Sequence, residues 1–343
     1  MKTKPTINAM SNHVTVRVAV MVWLVWAAAM STYALWHLFD ANWFMSVTMA
    51  VGSFIAGSTS EGGGAVAFPV MTLGFGIAPA VARDFALMIQ SVGMTAAAIT
   101  ILAMGIQVDL RAIKMACLGA IPGFIVGAEI LSPLLTPAVT KMFFVSFWLA
   151  FGLTLQFRHR KNAPSLQDGI PPLDHTSALT LLALGVVGGA ATGITGCGLD
   201  IVVFSYLVMG RGLNEKIATP TSVVLMAVIS VIGFAIRALV SDTPIPTEAW
   251  DYWSVSIPVV VVGAPLGALF IARRSREFVI SLLVVAIVAQ FIGALVILPM
   301  TPNLAIVTIV TFAGALGLFM SIARREPKLQ LPHIHFPSEP SHV

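Results

Sequence analysis

The chain has 343 residues, 57% of them hydrophobic and only 10% charged, and nineteen Lys and Arg against fifteen Asp and Glu leave a net charge of +4. An average soluble domain is about 25% charged. This composition, with a mean hydropathy of +0.93, excludes a cytosolic globular enzyme, a disordered chain and a nucleic-acid binder with one continuous basic face. The apolar runs are continuous rather than alternating, which predicts an all-α polytopic membrane protein and not an outer-membrane barrel.

Lys2, Lys4 and Arg17 precede a first apolar run from Val18 to Trp36. Ala27-Ala28-Ala29 could mimic a signal-peptide cleavage site. The run is nevertheless long enough to span, and it is read as a retained first helix. Trp23, Trp26, Trp36 and Trp43 include candidate interface anchors. The remaining apolar segments, between charged or Pro/Gly punctuation, cover 43–57, 64–77, 80–105, 112–131, 137–157, 177–193, 198–209, 214–240, 255–272, 278–298 and 304–323.

Basic loops face the cytoplasm. Arg158-His159-Arg160-Lys161, Arg273-Arg274-Ser275-Arg276 and Arg324-Arg325 with Lys328 are the clearest, while Asp242, Glu248 and Asp251 mark an outside loop without Lys or Arg. Stepping between these anchors puts both termini inside and brings Asp109, Arg111 and Lys114 to the same side. The Pro-rich end from Pro327 reads as a solvated tail.

Sliding the sequence by 136 residues brings Gly57 onto Gly193, Thr59 onto Thr195, Gly62 onto Gly198, Phe68 onto Phe204, Gly74 onto Gly210, Gly76 onto Gly212 and Ala82 onto Ala218. After a four-residue insertion, Gly123 meets Gly263 and Gly127 meets Gly267. With five passes per copy, the two copies start on opposite sides of the bilayer. The expected fold is therefore two inverted-topology five-segment repeats, each opening with a Gly-rich broken helical hairpin, plus one extra helix at each end. The layout is 1–40 for the N-terminal tail and first helix, 41–157 for repeat 1 and 158–176 for a cytoplasmic linker. Repeat 2 then covers 177–300, the last helix 301–326 and a cytoplasmic tail 327–343.

The breaks are Gly57-Ser58-Thr59-Ser60-Glu61-Gly62-Gly63-Gly64 and Thr192-Gly193-Ile194-Thr195-Gly196-Cys197-Gly198-Leu199-Asp200. Segment 198–209 has twelve residues, or ~18 Å of helix against a hydrocarbon core of ~30 Å. It is expected to end near the midplane, where free backbone groups need a partner. Half-helix N-termini carry free N–H groups and partial positive charge, so two such breaks predict a central anion site. The glycines Gly119, Gly123, Gly127, Gly263 and Gly267 are read instead as allowing close helix crossing.

Glu61-Gly62-Gly63-Gly64 followed by Pro69, Gly74 and Pro79-Ala80-Val81-Ala82 resembles the first signature of the sulfite exporter TauE/SafE family. Gly193-Ile194-Thr195-Gly196-Cys197-Gly198, then Ala218-Thr219-Pro220-Thr221-Ser222, resembles the second. The resemblance covers about 43–300. It implies a multi-pass carrier of the bacterial inner membrane moving sulfite, sulfonates or related organosulfur anions. Three departures stand out: Gly198-Leu199-Asp200 in place of a glycine triplet, Ser205 in place of a proline, and Arg83-Asp84-Phe85-Ala86 in place of a Thr-Ser signature.

Ionisable groups in membrane segments are functional candidates. The Arg83 fork suits paired anion oxygens, or else forms a structural bridge with Asp84 or Asp200. Asp200 either caps its helix or takes a coupling proton, and Glu61 could play the same part at the matching break. The expected solute-binding set is Gly62, Gly63, Gly64, Arg83, Gln90, Ser91, Thr195, Gly196, Gly198, Thr221 and Ser222. Gln90, Ser91, Thr221 and Ser222 could equally be interhelical glue. Lys141, Glu129 and Arg237, near segment ends, are expected to snorkel to the interface. Cys117 and Cys197 read as small buried residues.

Three functions compete: a secondary carrier, with proton coupling as one option; a passive anion channel sharing the half-helix site; and an intramembrane enzyme. The enzyme is disfavoured, because His13, His37, His159, His175, His333, His335 and His342 lie in tails, loops or segment ends and form no metal or nucleophile–base site. No Walker A motif, cofactor or metal site is read. The expected partners are a small anionic solute and the lipid bilayer, with no nucleic acid, and Gly-rich faces permit a homodimer.

Overall fold

The structure, a computed structural model, describes residues 9–59, 62–160, 169–271 and 276–324. Glu61, the linker residues 161–168, Arg273-Arg274-Ser275 and the chain from Arg325 onward lie outside the described residues. Among the described residues thirteen α-helices follow in order. The first seven are α1 (Ala9–Thr32), α2 (Leu38–Ser58), α3 (Gly64–Pro69), α4 (Pro79–Ala103), α5 (Leu110–Ile125), α6 (Ser132–Leu134) and α7 (Pro137–Arg160). The rest are α8 (His175–Thr195), α9 (Leu199–Ser205), α10 (Glu215–Leu239), α11 (Thr247–Ile271), α12 (Arg276–Ile297) and α13 (Pro302–Ala323). Among the described residues nine helices are long and apolar enough to cross a membrane. The protein is thus an all-helical, polytopic membrane protein.

The 136-residue offset of the sequence recurs in the backbone. α3 passes into a π-helical turn at Val70–Gly74 and α9 into another at Tyr206–Gly210. Phe75 N–H bonds the Val70 carbonyl and Ile77 N–H that of Met71; Arg211 and Leu213 do the same to Tyr206 and Leu207. Gly76 and Gly212 both sit at φ +66, a left-handed conformation that glycine adopts without penalty. α4 and α10 then start after an extended residue with ψ 137 and run for 25 residues each.

α2 ends at Ser58 and α8 at Thr195, and each is joined through a break to a helix too short to span. The long partners of these hairpins are glycine-faced. A side-chain carbon on Gly119 or Gly123 of α5, or on Gly127 in the π-helical turn Val126–Leu131 that follows it, would overlap the carbonyl oxygens of Leu182, Val186 and Ala190 on α8. Gly185, Gly189 and Gly193 meet Ala116, Ala120 and Phe124 in return. α11 lies on α2 in the same way, with Gly57 against the Ala264 carbonyl and Gly267 against that of Phe54. Both crossings are parallel, with backbones in direct contact. In lipid, where apolar burial drives little association, this close packing of small residues is the main cohesive force. The five glycines read as crossing residues therefore divide between these two contacts.

Proline explains two further contacts. Pro258, inside α11, has no N–H and orphans the Ser254 carbonyl. Trp26 Nε1 donates to that carbonyl at 2.7 Å and Trp23 Nε1 to the Pro258 carbonyl at 2.9 Å. These tryptophans fasten α1 to α11. Pro69 likewise orphans the Ala65 carbonyl, and Gln290 Nε2 of α12 donates to it at 3.3 Å.

Two expectations are corrected. Glu248 and Asp251 are not loop residues but lie in the first turns of α11, where negative charge suits the helix N-terminus. Arg237 does not snorkel: it is 3% exposed, and its Nε and Nη2 bond both Asp84 carboxylate oxygens at 3.1 Å. Its Nη1 reaches Glu129, Ser241 and Thr243. An always-charged fork at the end of a membrane helix is held inside when a bidentate carboxylate is within reach.

Candidate functional site

The first break begins where Ser58 and Thr59 hydroxyls both donate to the Ile55 carbonyl at 3.0 Å, competing with the next helical turn. The chain re-enters the described residues at Gly62, with φ +72, and α3 starts after Gly63 with no acidic residue in its first turn. The second break begins at Gly196, whose φ of +85 makes it the left-handed cap of α8, its N–H returning to the Thr192 carbonyl. Thr195 Oγ1 lies 2.9 Å from the carbonyls of Ala191 and Cys197.

The N-terminus of α9 is satisfied from within. Asp200 Oδ1 accepts from the N–H groups of Gly198 and Ile201, both at 3.0 Å. Thr192 Oγ1 accepts from Leu199 N–H at 3.0 Å. Ser222 of α10 donates to the Asp200 carbonyl at 3.3 Å. The donors that a half-helix would offer to an anion are here occupied by the helix's own carboxylate and a neighbouring hydroxyl.

The two breaks meet across α4. A side-chain carbon on Gly64 would sit 2.9 Å from Cys197 Sγ and 3.2 Å from the Ala86 methyl, and one on Gly196 would sit 2.7 Å from the same methyl and from the Arg83 carbonyl. Gln90, one turn after Ala86, donates Nε2 to the Ala86 carbonyl at 2.8 Å and to the Gly196 carbonyl at 2.9 Å. Its other face meets the first break: the Gly63 position lies 3.5 Å from Gln90 Cγ, and the Gly62 position 2.6 Å from Gln90 Oε1 and 2.8 Å from Asp200 Oδ2. Those two oxygens are buried and have no hydrogen-bond partner among the described residues. Gly62, Gly63, Gly64, Gln90, Gly196, Asp200 and Ser222 thus come together, with Gly198 behind them against Ala191 and Trp148.

Three expected site residues are engaged elsewhere. Arg83 Nε bonds Asp84 at 2.8 Å and its Nη1 bonds Ser132 at 3.1 Å. Of the two bridges open to it, the structure forms the one to Asp84, in a cluster of Arg83, Arg237, Asp84 and Glu129 that balances two positive against two negative charges. Ser91 donates to the Met88 carbonyl at 2.7 Å. Thr221 donates to the Ile217 carbonyl and accepts from Asp109 N–H, beside the buried Asp109–Arg211 pair at 3.0 Å. Four residues near the breaks were not singled out as ligands: Thr192, Cys197, Gln290 and Trp148. Thr192 lay inside the Gly-rich break, and Gln290 was legible as an amide in an otherwise apolar segment, but neither spacing nor residue type points to the helix each one reaches.

Helices that break in pairs around a shared buried centre are an arrangement that membrane transporters use. The family model described as sulfite exporter TauE/SafE matches residues 44–289. The chain belongs to that family, a family of membrane anion exporters. No curated protein and no solved structure matches it.

Proposed function

We propose that the protein is a secondary carrier of a small sulfur-containing anion (sulfite, a sulfonate or a related organosulfur anion) in a bacterial inner membrane, with both termini cytoplasmic. The observation that carries this reading is the meeting of two Gly-rich breaks at Gly62–Gly64 and Gly196–Gly198 with α4 between them. The domain layout of two inverted five-segment repeats flanked by single helices is part of the proposal. The antiparallel pairing of α4 with α10, seen in the Asp84–Arg237 contact, and the equivalent α2–α11 and α8–α5 crossings support it. Inverted repeats give two equal and opposite ways to open a central site, which is the geometric basis of alternating access.

Within this reading the anion binds on the first break. There α3 opens on Gly62-Gly63-Gly64 with no acidic residue in its first turn, and an oxyanion would reach this backbone once Gln90, Asp200 and Cys197, which crowd the glycines, move aside. At the second break Asp200 already fills the equivalent donors. Asp200 is the coupling carboxylate of the proposal and Glu61 its counterpart, while Arg83 serves the ion cluster rather than the solute. The chemistry is binding and release, not catalysis.

Flux of labelled sulfite and a panel of short sulfonates into proteoliposomes, with and without an imposed pH gradient, tests the proposal. Saturable uptake that responds to the gradient is the expected result. Flux linear in concentration and indifferent to pH would mean a passive channel. Absence of flux for every sulfur anion would reject the solute class.

A further inference from the structure

We propose that Asp200 and Gln90 form a one-proton site: Asp200 is held as the neutral acid, its Oδ2–H donating to Gln90 Oε1 across Gly62, and Gln90 is a positioning residue for that proton rather than a ligand for the anion. This deepens the carrier reading at its coupling carboxylate and takes its functional meaning from it.

The argument rests on which atoms are already used. Gln90 spends both amide hydrogens on the Ala86 and Gly196 carbonyls, so the atom it turns toward Gly62 is the oxygen. Asp200 spends Oδ1 on two backbone N–H groups, so the atom it turns toward Gly62 is Oδ2. Both oxygens lie within 2.8 Å of the point where a Gly62 side chain would begin. Each residue is at most 1% exposed, and neither oxygen has a partner among the described residues. Two buried acceptors crowded beside the same glycine are unsatisfied. One proton on Oδ2 converts the pair into a donor and an acceptor and satisfies both. A fully deprotonated anion's oxygens, acceptors themselves, cannot.

Among the described residues the surroundings supply no competing charge. On α4, Arg83 and Asp84 bond each other, and Asp84 also holds Arg237 of α10. The remaining titratable groups on elements packed against α9 lie toward helix ends: Glu215 and Lys216 on α10, Lys141 and Arg158-His159-Arg160 on α7, and His175 on α8. Cys197 and Tyr206 flank α9 in its own stretch, and α13 carries no charged residue between Pro302 and Ala323. Glu61 adjoins Gly62 in sequence, outside the described residues. With the proton present, the hydrogen bond ties the second break to α4 beside the first. Loss of the proton leaves two facing lone pairs, relieved when water enters or the breaks separate. That is the coupling of a proton to opening.

Infrared difference spectroscopy of the purified protein, titrated from mildly acid to mildly alkaline solution with no solute present, tests this directly. The expected result is a protonated-carboxyl band that disappears in Asp200→Asn and moves in frequency in Gln90→Met, which keeps the length but removes the acceptor. Should Asp200→Asn not fold, Asp200→Glu displaces the band and makes the same assignment. The proposal is overturned if no such band belongs to Asp200, if Gln90→Met leaves it unmoved, or if sodium at fixed pH removes it, which would make the pocket a metal-cation site. Because the measurement needs no anion, a band that behaves as expected beside absent sulfur-anion flux would reject the solute class and leave the proton site standing.

Discussion

The described parts of the first and second breaks have related backbones and differ in how they satisfy them. Gly62 and Gly198 both take positive φ, and the same π-helical turn follows each short helix. At the second break, position 200 is an aspartate that caps its own helix; the matching position of the first, Gly64, has no side chain. Further along, Ser205 keeps its N–H and donates its hydroxyl to the Ile201 carbonyl at 2.6 Å. The matching Pro69 orphans the Ala65 carbonyl, and Gln290 must be imported from α12 to meet it. Backbone shape followed the repeat, while electrostatics diverged. One break carries a carboxylate that caps its own helix, and the other has a glycine at the matching position.

The strongest way to break this comparison is at the crossings that both hairpins share. Gly57→Val and Gly193→Val each push a side chain into a backbone carbonyl, and a clash with backbone relaxes only if the helices part. Each is expected to cost about 3 kcal/mol or more and to remove most monodisperse protein on size-exclusion chromatography in detergent. A large loss at one position and none at the other would end the equivalence of the two hairpins.

Asp200→Asn separates the breaks functionally. Proteoliposome flux is expected to fall about tenfold, equivalent to about 1.4 kcal/mol of barrier, and to lose its response to a pH gradient. Unchanged flux with an unchanged pH response would remove Asp200 from the coupling.

Gln290→Met leaves the Ala65 carbonyl unpaired in the first break, at a cost of about 1–3 kcal/mol, read as a lowered Tm. In a Pro69→Ser background the helix regains its N–H, so the same substitution should cost much less. The double-mutant cycle measures how far the first break depends on its proline. The smallest effect is expected for Thr192→Val, which keeps the shape but uncaps Leu199 N–H and should cost about 1 kcal/mol.

Much of this was legible in the chain. Continuous apolar runs specify membrane helices because lipid tolerates no unpaired backbone. Glycines at Gly57, Gly62, Gly193 and Gly198 mark the breaks because few other residues permit a left-handed turn or a backbone contact. The reading of Arg237 as snorkelling failed for a physical reason. Whether a terminal Arg turns outward depends on whether a carboxylate from another helix lies within reach, and Asp84 is 153 residues away in sequence. Thr221 looked like a solute ligand beside Ser222, yet adjacent helical residues point about 100° apart, and Thr221 faces Asp109 while Ser222 faces Asp200.

Composition, periodicity and repeat therefore determined the class of protein, the places where its helices break and the glycine-lined crossings, because each follows from local rules of helix geometry and from the bilayer as solvent. Only the tertiary structure decided which atoms face one another. That Gln90 and Asp200 each turn an oxygen toward Gly62, that Ser222 reaches the Asp200 carbonyl, and that Gln290 answers Pro69 all depend on contacts between distant segments, and hydrogen-bond partners are assigned by position in space, not by order along the chain.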